Sequence, residues 1–152
     1  MTRHSPETFL PATAPGTCLM ALDVSAKRIG LAVTNPERTI ALPAETLRRG
    51  KWAADAAALI EIIRTRRVGG LVIGLPINLD GSLGPAAQSR LTFAGNLDKA
   101  LTAAGGAIPY IVVDESLTTH AARDTLSGRG GSANAEDQIA AQILLESWLI
   151  KS

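Results

Sequence analysis

Three carboxylates in this chain of 152 residues share a placement that could do chemistry. Asp23 closes the apolar run that begins at Cys18. Glu115, beside Asp114, closes the run that begins at Tyr110. Asp137 stands in the first turn of an apolar helix near the end of the chain. An acid at the tip of a buried element is costly unless it is solvated, paired or bound to a metal. Hard oxygen ligands at a sheet edge suit magnesium or manganese rather than zinc. Two such ions about 4 Å apart would activate a water and stabilise the leaving oxygen of a phosphodiester. His4 and His120 have no ligand-spaced partners, so a histidine metal site has little support.

Each acid also has a purely structural reading. Asp23 could cap the turn it enters, where Asp is common. Glu115 could be a solvated loop acid, and spacing does not choose between it and Asp114. Asn134 followed by Asp137 resembles a capping box, and acids in a first helical turn complement the helix dipole. On residue type alone, Asp137 reads as structural.

The elements that position these acids follow from hydrophobic periodicity. Residues 1 to 17 are rich in Pro, Thr and Ala without a period and read as a mobile tail, leaving 18 to 152 as one domain. Strands are expected at 18–24 and 29–35, paired as a hairpin. A turn follows over Asn35-Pro36-Glu37-Arg38, then a third strand from Thr39 to Leu47 in which Pro43 marks an edge or an irregularity. Trp52, Ala56, Leu59, Ile60 and Ile63 recur at helical spacing over 52–66, with Gly69-Gly70 as the stop. Leu71 to Leu75 reads as a strand buried on both faces. A loop carrying Asn78 and Asp80 leads to a helix that Pro85 opens and Gly105-Gly106 ends. Tyr110 to Val113 is the last strand. A short helix capped by Thr118 or Thr119 and a final helix from about Ala135 to Ile150 complete the chain. The expected class is α/β: a mixed five-stranded sheet, three antiparallel N-terminal strands and two further parallel ones, with helices on both faces.

Composition narrows the partners. Hydrophobic residues make up 46% and charged residues 19%, as in a globular domain. Aromatics are only 3%, which disfavours a single-strand binder that stacks bases on an aromatic platform. Net charge is +1, but Lys27, Arg28, Arg48, Arg49, Lys51, Arg64, Arg66 and Arg67 crowd the first half. A lone cysteine, Cys18, fits a reducing cytosol. No apolar run approaches the ~20 residues that span a bilayer, so no membrane partner is expected.

Four segments together resemble the YqgF/RuvX family, the pre-16S rRNA nucleases related to Holliday-junction resolvases. Leu22-Asp23-Val24-Ser25-Ala26-Lys27-Arg28-Ile29-Gly30-Leu31-Ala32-Val33 resembles its opening D-F-G-T-K-R-I-G-V-A-V. Val72 to Gly81 resembles V-G-L-P-L-N-M-D-G. Val113-Asp114-Glu115-Ser116-Leu117-Thr118-Thr119 resembles D-E-R-L-T-T. Glu136-Asp137-Gln138-Ile139-Ala140-Ala141 resembles the V-D-x-x-A-A that opens the family's last helix. The resemblance runs from about Cys18 to Leu149.

The resemblance implies a ribonuclease H-like fold with Asp23, Glu115 and Asp137 as metal-binding, catalytic carboxylates, and it selects Glu115 over Asp114. It implies two ions of Mg2+ or Mn2+, and a nucleic-acid partner: ribosomal RNA precursor at its 5′ end or, alternatively, branched DNA. Lys27, Arg28, Asn78 and Arg129 are the expected substrate contacts. The expected protein is a cytoplasmic monomer or homodimer. Ser25 stands where the family has glycine, Ala26 where it has threonine and Ser116 where it has arginine. The first change places a Cβ in a turn that could require positive φ. The thinning of cationic contacts keeps open a binding factor of the same fold with weak catalysis. An ATP-binding relative of the sugar kinases and actin-like ATPases is a further reading, but it generally needs a second domain for which this chain is short.

Overall fold

The computed structural model describes residues 3–78, 80–114 and 139–146. Its elements, in chain order, are α1 (Pro6–Ala12), β1 (Cys18–Val24), β2 (Arg28–Thr34), β3 (Ala41–Arg48), α2 (Trp52–Thr65), β4 (Val68–Leu75), α3 (Pro85–Ala103) and β5 (Tyr110–Asp114). Residues 139–146 are helical.

The five strands form one sheet in the order β3-β2-β1-β4-β5. β1 is the hub, antiparallel to β2 and parallel to β4. β3 is antiparallel to β2 and β5 is parallel to β4. The three antiparallel and two parallel strands match the expectation. β3 is an edge strand, and its register against β2 shifts between Gly30 and Ala32, opposite the stretch that holds Pro43. A proline lacks the N–H that a central strand must donate, so it belongs at an edge.

Strand alternation divides the core in two. Met20, Leu22 and Val24 of β1 face α2 and α3, packing with Leu59, Ile63, Phe93 and Leu97. Leu19 and Ala21 face the other side, packing with Phe9 of α1 and with Ala141, Leu144 and Leu145 of the C-terminal helical segment. Helices therefore cover both faces. The C-terminal stripe centres on Ala140, Ala141, Leu144 and Leu145, while Ile139 and Ile143 are only partly covered. Gln142 Nε2 donates to the Ala41 carbonyl at 3.1 Å, tying the segment to edge strand β3.

Two expectations require correction. Residues 1 to 17 are not simply a tail. A capping box between Ser5 and Thr8 starts α1, and Phe9 is fully buried in the second core. The His4 amide donates to the Tyr110 carbonyl at 2.7 Å. The Arg38 guanidinium donates to Thr13 Oγ1, Ala14 O and Thr17 O at 2.6, 2.9 and 3.0 Å, holding the link to β1. A single buried aromatic outweighs the aperiodic composition around it, because its burial alone is worth roughly 1.5–3 kcal/mol.

Gly69-Gly70 is likewise not a helix stop. Both residues lie inside β4. The helix ends at Arg66, and Arg67 takes the left-handed turn at φ 56 instead. The glycines are needed for close approach: a Cβ on Gly70 would lie 2.7 Å from Thr13 Cγ2 and 2.8 Å from Phe9 Cζ, and one on Gly69 would strike Thr17. They form the seat of the N-terminal segment. Gly105, by contrast, does end its helix, with φ 76 and its N–H on Thr102 O at 3.0 Å.

Candidate functional site

The C-terminal ends of β1, β4 and β5 lie side by side. Leu22 pairs with Ile73, and Leu75 pairs with Asp114. Asp23 is the penultimate residue of β1 and pairs with Gly30 of β2. By alternation it lies on the face of Leu19 and Ala21, the face covered by residues 139–146. Asp114 lies on the opposite face, with Tyr110 and Val112, whereas Ile111 and Val113 share the face of Asp23. Strand parity thus separates Asp23 from Asp114.

Asp23 has a basic neighbour that sequence reasoning missed. Arg90 Nη1 lies 4.0 Å from Asp23 Oδ1, and the two side chains are only 16% and 15% exposed. The same nitrogen reaches Gly74 O at 3.5 Å. Arg90 therefore comes from α3, packed on one face, to the sheet end between β1 and β4. Burial pushes the Arg90 guanidinium below its ordinary value, and the Asp23 charge opposes that shift. The sequence signal was present: Arg90 falls at helical spacing between Ala87 and Ala94, a charge inside the buried stripe of α3.

The β1–β2 turn closes without glycine. The Ser25 amide donates to Arg28 O at 2.9 Å, its hydroxyl donates to the same carbonyl at 3.0 Å, and the Arg28 amide donates to Ser25 Oγ at 3.1 Å. Among the described residues only Arg38 and Arg67 combine a side chain with positive φ. Ser25 is therefore not strained, and its hydroxyl ties the turn that follows Asp23. Arg49 Nη1 donates to Ser25 O at 2.7 Å and stacks its guanidinium 5.3 Å from the Phe93 ring centre.

This turn gathers cations. Lys27 is exposed at its tip, and its carbonyl accepts the Arg49 amide at 2.8 Å. Arg28 and Arg48 are direct cross-strand partners. Between the turn and α3 lies a cleft of about 140 Å³ lined by Ser25, Ala26, Arg49, Ser89 and Arg90.

The loop after β4 folds on itself. Asn78 Nδ2 donates to Ser82 Oγ at 3.1 Å, and Asp80 Oδ1 accepts the Ser82 amide and hydroxyl at 2.9 and 2.6 Å. Asp80 is thus an Asx-turn acid, and these hydrogen bonds hold its carboxyl below the ordinary aspartate value. Glu115, Arg129 and Asp137 lie outside the described residues, as does the expected short helix after Thr118. Among the described residues no three His, Cys, Asp or Glu side chains gather as metal ligands. No helix among them is long and apolar enough to cross a membrane.

An acid on the central strand, a mixed sheet of this order and helices on both faces define the ribonuclease H-like class. Solved structures agree on the fold. RuvC of T. thermophilus, in complex with a Holliday junction substrate, superposes with a TM-score of 0.56 at 14% identity, covering 89% of this chain and 95% of RuvC. The yeast mitochondrial Holliday junction resolvase Ydc2 superposes at 0.54 with 9% identity, over 90% of this chain and 79% of that one.

The chain belongs to the RuvX family, whose model, described as Holliday junction resolvase, matches residues 17–151. A relative from Roseobacter denitrificans, named "Putative pre-16S rRNA nuclease", is 42% identical over 145 residues, spanning 93% of this chain and 87% of its own length. One of the same name from Rhizobium etli is 37% identical over 153 residues, covering 98% and 90%.

Proposed function

We propose that this chain is a metal-dependent endonuclease that hydrolyses phosphodiester bonds of structured RNA, acting in 5′-end maturation of the 16S ribosomal RNA precursor. The observation that carries the reading is the position of Asp23. It is a nearly buried carboxylate at the end of the central strand, beside a turn dense in cations, in a chain related along its length to the nucleases named above. The proposed catalytic and metal-binding set is Asp23, Glu115 and Asp137. Strand parity speaks against Asp114, which lies on the face opposite Asp23. Asp137 precedes by two residues the helical segment that packs on that same face.

The donors suit Mg2+ or Mn2+. They are carboxylate oxygens, with no described cysteine or histidine at the sheet end, and such ions would supply an activated water and charge stabilisation at the leaving oxygen. Asp23, Glu115 and Asp137 would hold them. Lys27 and Arg28, at the tip of the β1–β2 turn, would steer and bind the phosphate backbone. Arg129 would add a further phosphate contact. Asn78 would act through the shape of its loop, since its amide holds Ser82. The nuclease domain would comprise residues 18–152 together with the N-terminal segment that packs Phe9 into its second core, in a cytoplasmic protein that works as a monomer or homodimer.

A second reading, cleavage of branched DNA, draws on the description of the family model. One experiment separates the possibilities. The full chain is incubated with a precursor 16S RNA fragment or a four-way DNA junction, in magnesium, manganese or EDTA. Metal-dependent RNA cleavage that disappears in Asp23→Asn and Glu115→Gln is the expected result. Equal cleavage in EDTA would overturn the mechanism. Cleavage of the junction alone would select the second reading, and binding without cleavage under every metal would select a binding factor.

A further inference from the structure

We propose that the cleft between the β1–β2 turn and α3 is a subsite for one backbone phosphate of the nucleic-acid substrate, gripped by Arg49 and Arg90. The proposal deepens the nuclease reading and rests on it for the identity of the strand.

Two guanidinium groups, Arg49 just past β3 and Arg90 of α3, line one cleft of about 140 Å³, room for a phosphate group. Guanidinium forks match the paired oxygens of phosphate better than any other side chain. Arg49 is pre-oriented: one of its N–H donors serves Ser25 O at 2.7 Å, and its plane is held by the Phe93 ring. That ring is itself fixed edge-on against Trp52, with centres 5.3 Å apart and planes at 80°. Arg90 links the cleft to the reaction centre, since it lines the cleft and stands 4.0 Å from Asp23. The hydroxyls of Ser25 and Ser89 border the same space.

The arrangement also carries a register. A phosphate in the cleft and a phosphodiester at Asp23 would be joined by the reach of one arginine side chain. The subsite would thus position the strand relative to the carboxylates. Arg49 and Arg90 are substrate-binding residues in this account.

The test uses the full chain in EDTA, a fluorescein-labelled RNA hairpin and a sodium chloride series read by anisotropy. Each phosphate contact contributes about 0.7 to 0.9 to the slope of log affinity against log salt. Arg49→Ala and Arg90→Ala are each expected to lower that slope by about 0.7 to 0.9, and Arg90→Lys to restore it. Slopes equal to wild type in both alanine variants would overturn the subsite. A measurement on the unaltered chain removes dependence on variant folding. Titration with inorganic phosphate is expected to shift the Nε–Hε NMR signals of Arg49 and Arg90, and an absence of shift at both would overturn the proposal. The two readings fail separately. Lowered slopes without metal-dependent cleavage would sink the nuclease and leave the subsite. Metal-dependent cleavage with unchanged slopes would do the reverse.

Discussion

Arg90 Nη1 stands 4.0 Å from Asp23 Oδ1 with both side chains about five-sixths withdrawn from water. That separation is an ion-pair distance, longer than a hydrogen bond. Burial is the main influence on the arginine and the aspartate charge is its counterweight. Removing one member of such a pair leaves a desolvated charge behind. In EDTA, Asp23→Asn is expected to destabilise the chain by about 1–3 kcal/mol. Asp23→Asn combined with Arg90→Gln should cost less than the sum of the single changes. Urea unfolding of the four proteins checks this, and strict additivity would show that the pair is not coupled.

Gly70 and Phe9 form the seat of the N-terminal segment. A methyl group on Gly70 would press on Phe9 Cζ and Thr13 Cγ2. Gly70→Ala is expected to cost about 1–3 kcal/mol by overpacking. Phe9→Ala should cost about 3–5 kcal/mol through lost burial and the cavity left behind. In the double variant the contact with Phe9 is gone while that with Thr13 Cγ2 remains, so the cost of the methyl group should shrink in part. Denaturant midpoints check the cycle, and an unchanged cost for the methyl group would mean that α1 does not rest on β4.

Asp80 offers a pH test of the loop after β4. Its carboxylate accepts two hydrogen bonds from Ser82, so its folded value lies below the ordinary aspartate range. The loop's stabilisation is therefore fully present above the unfolded value and is lost as pH falls through the depressed folded value. An NMR titration of the Asp80 carboxyl carbon should show a midpoint below that of an exposed aspartate. Ser82→Ala should move the midpoint up, and an unmoved midpoint would exclude Ser82 as the cause.

The five strands and the irregular or edge character of β3 were legible in the sequence because local pattern and global fold agree there. Runs of Val, Ile and Leu bounded by turn residues leave few alternatives, and Pro43 is accommodated at an edge or a register irregularity, both of which β3 has. Asp23 was also visible, as an acid closing an apolar run. Gly69-Gly70 misled because glycine ends helices as readily as it admits a close neighbour, and the neighbour, Phe9, is about sixty residues away. The aperiodic composition of residues 1 to 17 hid α1 for the same reason: its stability comes from one buried ring and from the Arg38 contacts, not from its own periodicity.

By itself the sequence determined the order of the strands and of the helices between them, the coverage of both sheet faces and the placement of an acid at the tip of the first strand, since hydrophobic period and turn chemistry are local properties. It also carried the family resemblance. Only the tertiary structure decided what surrounds that acid. Arg90 and Asp23 are 67 residues apart in the numbering, and nothing in either local pattern announces the other. Strand parity, which puts Asp114 on the face opposite Asp23, became usable once the register of β1, β4 and β5 was known. Long-range pairing sets which side chains share a face. It placed one acid at a strand end beside an arginine that also lines the neighbouring cleft.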